Sequence, residues 1–293
     1  MIRSLGHRVD ITHDLKNPGV GEKADVLVLM HANKCAPAAR NYRGRHPQRP
    51  LIVALTGTDL YRDLARDAGG RQSLELADRI VMLQRSGLTE LTSPIRRKCH
   101  VIHQSSVPIE TPKYSCTRAL RVCVVGHLRA VKDPMRCAMA VRDLPQSSKI
   151  QVDHMGKAVT SAFKKAATRE TRENPRYRWL GEHPHWRARQ LVARSHLLVL
   201  TSRMEGGANV VSEACVAGTP VITSRIDGSI GLLGKNHPGM FETGDTNALQ
   251  ELLMRFEGDE KFREKLRLAS VRKASLFTPD KERARWSRIL RGF

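Results

Sequence analysis

The stretch TSRMEGGANVVSEACVAGTPVITS, residues 201–224, indicates the fold of this 293-residue chain. It continues an apolar run at 197–202 that ends in polar residues, as a buried parallel strand does. Two adjacent glycines then predict a tight loop, and the apolar spacing of residues 209–217 predicts a helix. Residues 221–224 predict a second strand. This order is typical of a parallel α/β sheet, which binds its ligands at the carboxyl edge.

Two carboxylates flank the glycine loop of this unit. Glu205 precedes Gly206 and Gly207, and Glu213 lies on the predicted helix eight positions later. The glycines let backbone N–H groups approach a ligand, and the helix start favours phosphate. The carboxylates can accept hydrogen bonds from two groups of hydroxyls, such as the hexose and the ribose of a sugar nucleotide. Alternatively, Glu213 is a solvated helix residue and the glycines only form a turn.

This segment resembles the Glu, seven residues, Glu signature of family 4 glycosyltransferases. The resemblance implies the α/β fold called GT-B, in which two Rossmann-like parallel-sheet domains face a central cleft. It also implies that Glu205 binds the transferred sugar and that Glu213 binds the ribose. The loop between them would bind sugar and phosphate through Gly206, Gly207, Ala208 and Asn209.

A second match to that family lies upstream. The strand-like run 120–126 leads into HLRAVKDP, residues 127–134, which resembles the donor loop of the family with its Gly, Arg and Lys. The resemblance implies that Gly126, Arg129 and Lys132 bind the donor, and that Arg129 and Lys132 bind its diphosphate. Fixed cations stabilise the negative charge that develops on a departing nucleotide diphosphate, so no metal or other cofactor is expected. The resemblance thus implies Glu205, Arg129 and Lys132 as catalytic residues. Taken alone, a basic pair in a turn is also typical of exposed surface.

A narrower resemblance covers essentially the whole chain. The segments at 51–64, 71–84, 101–105 and 227–249 are similar to the selenosugar synthase family of selenoneine biosynthesis. That resemblance implies transfer of a hexose, N-acetylglucosamine or glucose, from a UDP-sugar to selenophosphate. We also expect the loop that begins at residue 227 to shape recognition of the base and the sugar.

The first half of the chain supplies the candidate acceptor residues. Thr56 stands where many family 4 enzymes carry a histidine before a turn. A hydroxyl acceptor gains from such a base, whereas selenophosphate is already anionic and needs positioning and charge neutralisation. The predicted acceptor-binding residues are His31, Thr56, Gly57, Thr58 and Arg62. Alternatively, Asp59 caps a helix and Arg62 is solvated.

The order of strand-like runs and proline-containing segments along the chain predicts its domain organisation. Strand-like runs at 25–31, 51–57 and 79–84 predict a first parallel sheet in an acceptor-side domain, residues 1–112. Residues 107–115, with two prolines, predict the linker to a donor domain at 113–279. Residues 280–293 predict a terminal helix that crosses back to the first domain. By comparison with the family, the first strand and glycine loop of the first domain are expected to be missing. The family is therefore a firmer expectation than the activity of this chain.

Composition leaves one other class of function open. Fifty Lys and Arg against 29 Asp and Glu give a formal net charge of +21, a field that attracts nucleic acid, anionic lipid or small anions alike. Aromatic residues make up 4%, and no nucleic-acid-binding motif is present, so no nucleic-acid partner is expected. The alternatives are a nucleic-acid-binding protein and a glycosyltransferase that acts on a lipid or polysaccharide hydroxyl.

Several absences in the sequence point to a cytoplasmic enzyme. No apolar run approaches the roughly 20 residues that cross a bilayer, and the first residues lack the pattern of a secretory signal. The cysteines lack metal-ligand spacing and are predicted to be reduced, mostly buried thiols; they are Cys35, Cys99, Cys116, Cys123, Cys137 and Cys215. No metal site is expected.

Overall fold

The computed structural model describes residues 1–14, 20–114, 119–291 and 293. Cys116 and the end of the predicted linker, Ser115, lie outside these residues. The described chain divides into two compact units. The first comprises Met1–Ser105, Glu205–Gly207 and Thr278–Phe293, and the second comprises Ser106–Met204 and Ala208–Phe277. The boundaries at 105 and 277 lie a few residues before the predicted ones.

The first unit is built on a four-stranded parallel sheet in the order β1-β2-β3-β4. Its strands are β1 Leu27–Met30, β2 Leu51–Ala54, β3 Arg79–Met82 and β4 Cys99–Val101. Its helices are α1 Ala36–Arg45, α2 Ala68–Leu76, α3 Ser93–Arg97 and, from the end of the chain, α11 Pro279–Arg291. A short π-helical turn, Asp59–Asp63, follows β2.

Successive side chains of strand β2 are buried on opposite faces of this sheet. Leu51 and Val53 pack in one apolar cluster with Tyr42 of α1. Ile52 packs in another with Ile289 of α11. Because successive side chains of a strand point to opposite faces, helices are needed on both sides to bury a strand that is apolar throughout.

The second unit has a six-stranded parallel sheet in the order β10-β9-β8-β5-β6-β7. The strands are β5 Leu120–Val125, β6 Ile150–Met155, β7 Tyr177–Gly181, β8 Leu197–Leu200, β9 Val221–Ser224 and β10 Met240–Phe241. The helices described in this unit are α4 Arg136–Arg142, α5 Ser161–Glu173, α6 His185–Arg194, α7 Asn209–Val216, α8 Asp227–Leu233, α9 Thr246–Gly258 and α10 Glu260–Ala274.

The strand order identifies where this sheet binds a ligand. Strands β5 and β8 are neighbours, although they are the first and fourth strands of the unit. The chain therefore runs outward in opposite directions from this pair, which makes a topological switch point. In doubly wound sheets, ligands bind at the carboxyl ends of the two strands at that point. Here those ends lead into the two loops that the sequence singles out.

The structure confirms the α/β class with two Rossmann-like parallel sheets. One local prediction is wrong, because residues 227–229 begin helix α8 and not a loop. Strands β4 and β10, of three and two residues, were not predicted. Within the part of the chain that is described, no helix has the length and apolarity to cross a membrane.

Candidate active site

The loop after β5 carries the predicted diphosphate-binding cations and is fastened to the end of β8. Thr201, which follows β8 and is 2% exposed, places its hydroxyl 3.0 Å from the carbonyl oxygen of Lys132 and 2.9 Å from that of Asp133. Two residues further on, the backbone N–H of Arg203 donates to the carbonyl of Val131 at 2.8 Å. These hydrogen bonds hold the basic loop against the strand that leads to the carboxylate pair.

Asp133 ends this loop in a left-handed backbone conformation. Its φ of 42° lies in the left-handed region, which few residues other than glycine adopt without local hydrogen bonds. Its carboxylate accepts from Arg136 Nε at 3.0 Å and from Arg203 at 3.4 Å. The carboxylate thus ties Arg136 and Arg203 to this end of the loop and offsets part of their charge.

A buried histidine supports the start of the same loop. His154, which is 1% exposed, lies 2.8 Å from the hydroxyl of Tyr177 and 3.3 Å from the carbonyl oxygen of Gly126. Burial lowers the pKa of His154 to about 4, so the ring is neutral near pH 7. Gly156 touches the loop directly, because a Cβ on it would lie 2.0 Å from the Gly126 oxygen. The backbone at Gly126 is therefore tightly positioned.

The two cations of the loop differ in exposure. Arg129 is exposed and forms no ion pair with the residues that the structure describes. Lys132 is half-buried. Both lie within a few residues of the carboxyl end of β5, at the edge of the sheet where doubly wound folds bind their ligands. The geometry allows them to neutralise a phosphate there.

Glu213 lies on α7 with one carboxylate oxygen already engaged. It is 6% exposed, and its Oε1 accepts from His185 Nε2 at 2.6 Å and from Asn209 Nδ2 at 2.9 Å. No described residue donates to the other oxygen, Oε2. Two donors on one oxygen fix the carboxylate and leave Oε2 as an acceptor for ligand hydroxyls. The role of His185 was not apparent from the sequence, since it lies 28 residues away.

Residues Glu205–Gly207 group with the first unit, whereas Arg129, Lys132, Ala208, Asn209 and Glu213 lie in the second. Glu205 is 9% exposed. A Cβ on Gly57 would lie 2.6 Å from the Gly206 nitrogen, and one on Gly207 would lie 2.6 Å from the Leu83 Cβ. These glycines are thus required for close backbone packing inside the first unit. Convergence of Glu205 with the other site residues stays a prediction.

The predicted acceptor turn after β2 is organised by Asp59, which is fully buried. One of its carboxylate oxygens accepts from the backbone N–H and the hydroxyl of Thr56, both at 2.8 Å, and from the N–H of Leu60 at 3.0 Å. The other accepts from the N–H of Ala32 at 2.9 Å. Both Thr56 donors are thus already used, and Asp59 joins the carboxyl ends of β1 and β2.

His31 follows β1 with a φ of 91°, which is strained for a residue with a Cβ. Its Nδ1 accepts from the Lys34 N–H at 3.3 Å, so its Nε2 carries the proton and donates to Thr58 Oγ1 at 3.2 Å. Arg62 instead points to Asp63, with Nε 2.6 Å from the carboxylate. The structure therefore brings His31 and Thr58 together and pairs Arg62 with its neighbour.

The two Rossmann-like parallel sheets and these loops define a glycosyltransferase of the GT-B fold. The family model described as "Glycosyl transferases group 1" matches residues 116–271, more than half of the chain. The chain belongs to this family, and the prediction of a glycosyltransferase is confirmed. No match was found among curated protein sequences.

Solved structures of low sequence identity share the fold. HepE from Anabaena, solved with UDP-glucose, superposes with a TM-score of 0.77 at 16% identity, over 95% of this chain and 81% of HepE. Sucrose-phosphate synthase from Thermosynechococcus elongatus gives 0.71 at 14% identity, over 94% and 75%. The lipopolysaccharide outer core galactosyltransferase WaaB gives 0.65 at 16% identity, over 94% and 78%.

Proposed function

We propose that this protein transfers a hexose from a UDP-sugar to selenophosphate. The observation that carries the donor half of the proposal is the basic loop after β5, which is hydrogen-bonded to Thr201 at the switch point of the second sheet. HepE, which shares the fold, was solved with UDP-glucose. The acceptor half rests on the resemblance of the sequence to selenosugar synthases and on the turn after β2.

In this proposal, Arg129 and Lys132 face the diphosphate of the donor. Selenium attacks the anomeric carbon, the new selenium to carbon bond forms, and the bond from that carbon to the diphosphate oxygen breaks. UDP leaves with the bonding electron pair, so negative charge grows on its outer phosphate. Two fixed cations and the N–H groups at the start of α7 stabilise that charge. No metal ion is needed for this role.

Glu213 and Glu205 have separate tasks in the proposed reaction. Glu213 Oε2 accepts hydrogen bonds from the ribose hydroxyls, while His185 and Asn209 hold Oε1. Glu205 accepts from hydroxyls of the transferred hexose. Selenophosphate is an anionic nucleophile, so the acceptor side needs charge neutralisation more than a general base.

The proposal is tested by incubating the purified protein with UDP-N-acetylglucosamine or UDP-glucose and enzymatically made selenophosphate. We expect UDP release together with a product of the mass of a selenosugar, and the same rate in EDTA. Arg129→Ala should lower kcat at least tenfold, while Arg169→Ala, at an exposed position of α5, should not. UDP release with hydroxyl acceptors only would contradict the selenophosphate assignment and favour a lipid or polysaccharide acceptor.

A further inference from the structure

A pocket of the first unit contains two cations that the sequence analysis did not select. It has a volume of about 300 Å³, opens to solvent, and lies beside the ends of β1 and the π-helical turn. Its lining residues are His31, Asn33, Lys34, Asp63, Arg66 and Asp67. We propose that this pocket binds the oxyanion portion of a phosphate-like acceptor, with Lys34 and Arg66 as its charge partners. This inference rests on the proposed function for its place in the reaction.

The carboxylates of the pocket are already engaged. Asp63 accepts two hydrogen bonds from Arg62, and this contact lowers the pKa of Asp63. Asp67 accepts from Asn33 Nδ2 at 2.9 Å and from the Gly69 N–H at 2.7 Å, and these bonds lower the pKa of Asp67. Both carboxylates therefore stay ionised but have donors of their own, which reduces their repulsion of a bound anion.

The cations of the pocket have no such partners. Lys34 and Arg66 are exposed, and neither makes a side-chain hydrogen bond or ion pair with a described residue. The pocket lining thus holds two cations without such partners, while Arg62, outside the lining, offsets the charge of Asp63. His31 also lines the pocket, but its Nε2–H is directed to Thr58. Arg can donate two parallel hydrogen bonds to a tetrahedral oxyanion, and Lys adds a mobile point charge.

The size of the pocket suits a small anion. A volume near 300 Å³ holds about ten water molecules at roughly 30 Å³ each, so a hydrated tetrahedral oxyanion fits. If the cations hold its oxygens, the selenium or sulfur of a selenophosphate or thiophosphate is left uncoordinated, because a soft anionic centre gains least from hard ammonium and guanidinium donors. The pocket thus distinguishes the part of the acceptor that is held from the part that reacts.

Thiophosphate is a suitable binding probe, since it keeps the charge and shape of selenophosphate. We expect millimolar binding in ³¹P NMR titrations, reduced about fivefold by Lys34→Ala or Arg66→Ala and more than tenfold by the double variant. Asp63→Asn should tighten binding about threefold, because it removes a carboxylate and frees Arg62. A variant that merely damaged folding would not tighten binding. Arg45→Ala, an exposed change at the end of α1, is the matched control and should have no effect.

Two binding results would overturn the inference: no thiophosphate binding at 10 mM, or equal affinity in the wild type and the double variant, with UDP affinity as the check on folding. Failure of the proposed function looks different. In that case thiophosphate would still bind through Lys34 and Arg66, but UDP would be released only with hydroxyl acceptors. If selenophosphate is consumed and its KM is unchanged in both variants, the function stands and the pocket assignment is wrong.

Discussion

Replacing Thr201 by valine tests whether the hydrogen bonds of its hydroxyl position the donor loop. Valine keeps the shape of threonine but removes the hydroxyl that lies 3.0 and 2.9 Å from the carbonyl oxygens of Lys132 and Asp133. One proton serves both acceptors, so one hydrogen bond is lost; the Asp133 carbonyl keeps the Arg136 N–H as a donor at 3.1 Å, whereas the Lys132 carbonyl loses the Thr201 hydroxyl. Such a loss costs about 1–3 kcal/mol.

This cost has a structural and a functional part. We expect the second unit to unfold about 2–12 °C lower, at about 2–4 °C per kcal/mol for a domain of this size. We also expect UDP to bind about five- to tenfold more weakly, because Arg129 and Lys132 are no longer held in one arrangement. Calorimetric unfolding and isothermal titration with UDP measure the two parts separately.

Two controls sharpen this measurement. Thr201→Ser retains the hydroxyl and should retain UDP affinity. Thr219→Val removes another buried hydroxyl, which donates to the Val192 carbonyl at 2.9 Å and precedes β9 at the amino edge of the sheet. It should lower stability and leave UDP affinity unchanged. If Thr201→Val and Thr219→Val both leave UDP affinity unchanged, the Thr201 hydroxyl does not position the donor loop.

Three further predictions concern the second unit: two substitutions and one dependence on pH. Glu213→Gln should weaken UDP binding about tenfold and 2′-deoxy-UDP binding less, in parallel titrations; an equal loss for both would contradict a ribose contact. Gly156→Ala should raise the KM for the UDP-sugar severalfold, because its Cβ would lie 2.0 Å from the Gly126 oxygen; an unchanged KM would refute this. Burial lowers the pKa of His154 and of His237 to about 4 from about 6.5, so unfolding takes up protons between these values. The free energy of unfolding should therefore fall as pH drops from 6.5 towards 4, by up to about 2 kcal/mol per histidine at pH 5. Urea titrations that give the same free energy of unfolding at pH 7 and pH 5 would exclude this effect.

Much of the fold is predictable because buried strands and glycine loops leave local patterns. The runs at 27–30, 51–54 and 197–200 are apolar on both faces, and each is a parallel strand in the structure. Strand β10 has two residues, too few to show a period, and only its pairing with β9 reveals it. Residues 227–229 lack apolar spacing of their own, and their helix forms because Ser229 and Leu232 are buried in the second unit.

Prediction of the candidate site from the sequence has a similar limit. Glu213, Arg129 and Lys132 stand in recognisable loops, but His185 and Thr201 acquire their roles from partners 28 and 69 residues away. Distances of that kind depend on which strands are neighbours, which periodicity does not encode. Asp59 is an intermediate case. An aspartate three residues after Thr56 is typical of a side chain that accepts from nearby backbone N–H groups, although its bond to Ala32 depends on the sheet.

Helix α11 imposes an order on how the chain can mature during synthesis. Ile289 completes the apolar cluster that contains Ile52, Ala54 and Val81, and Glu282 accepts from the Ser105 N–H at 2.8 Å. The ribosome makes these strand residues well before their covering helix. The strands and helices described for the second unit precede residue 278, whereas one face of the first sheet stays open until α11 has been made. During that interval a chaperone can bind the nascent chain. The apolar face of β2 that α11 later covers is the surface we expect it to bind.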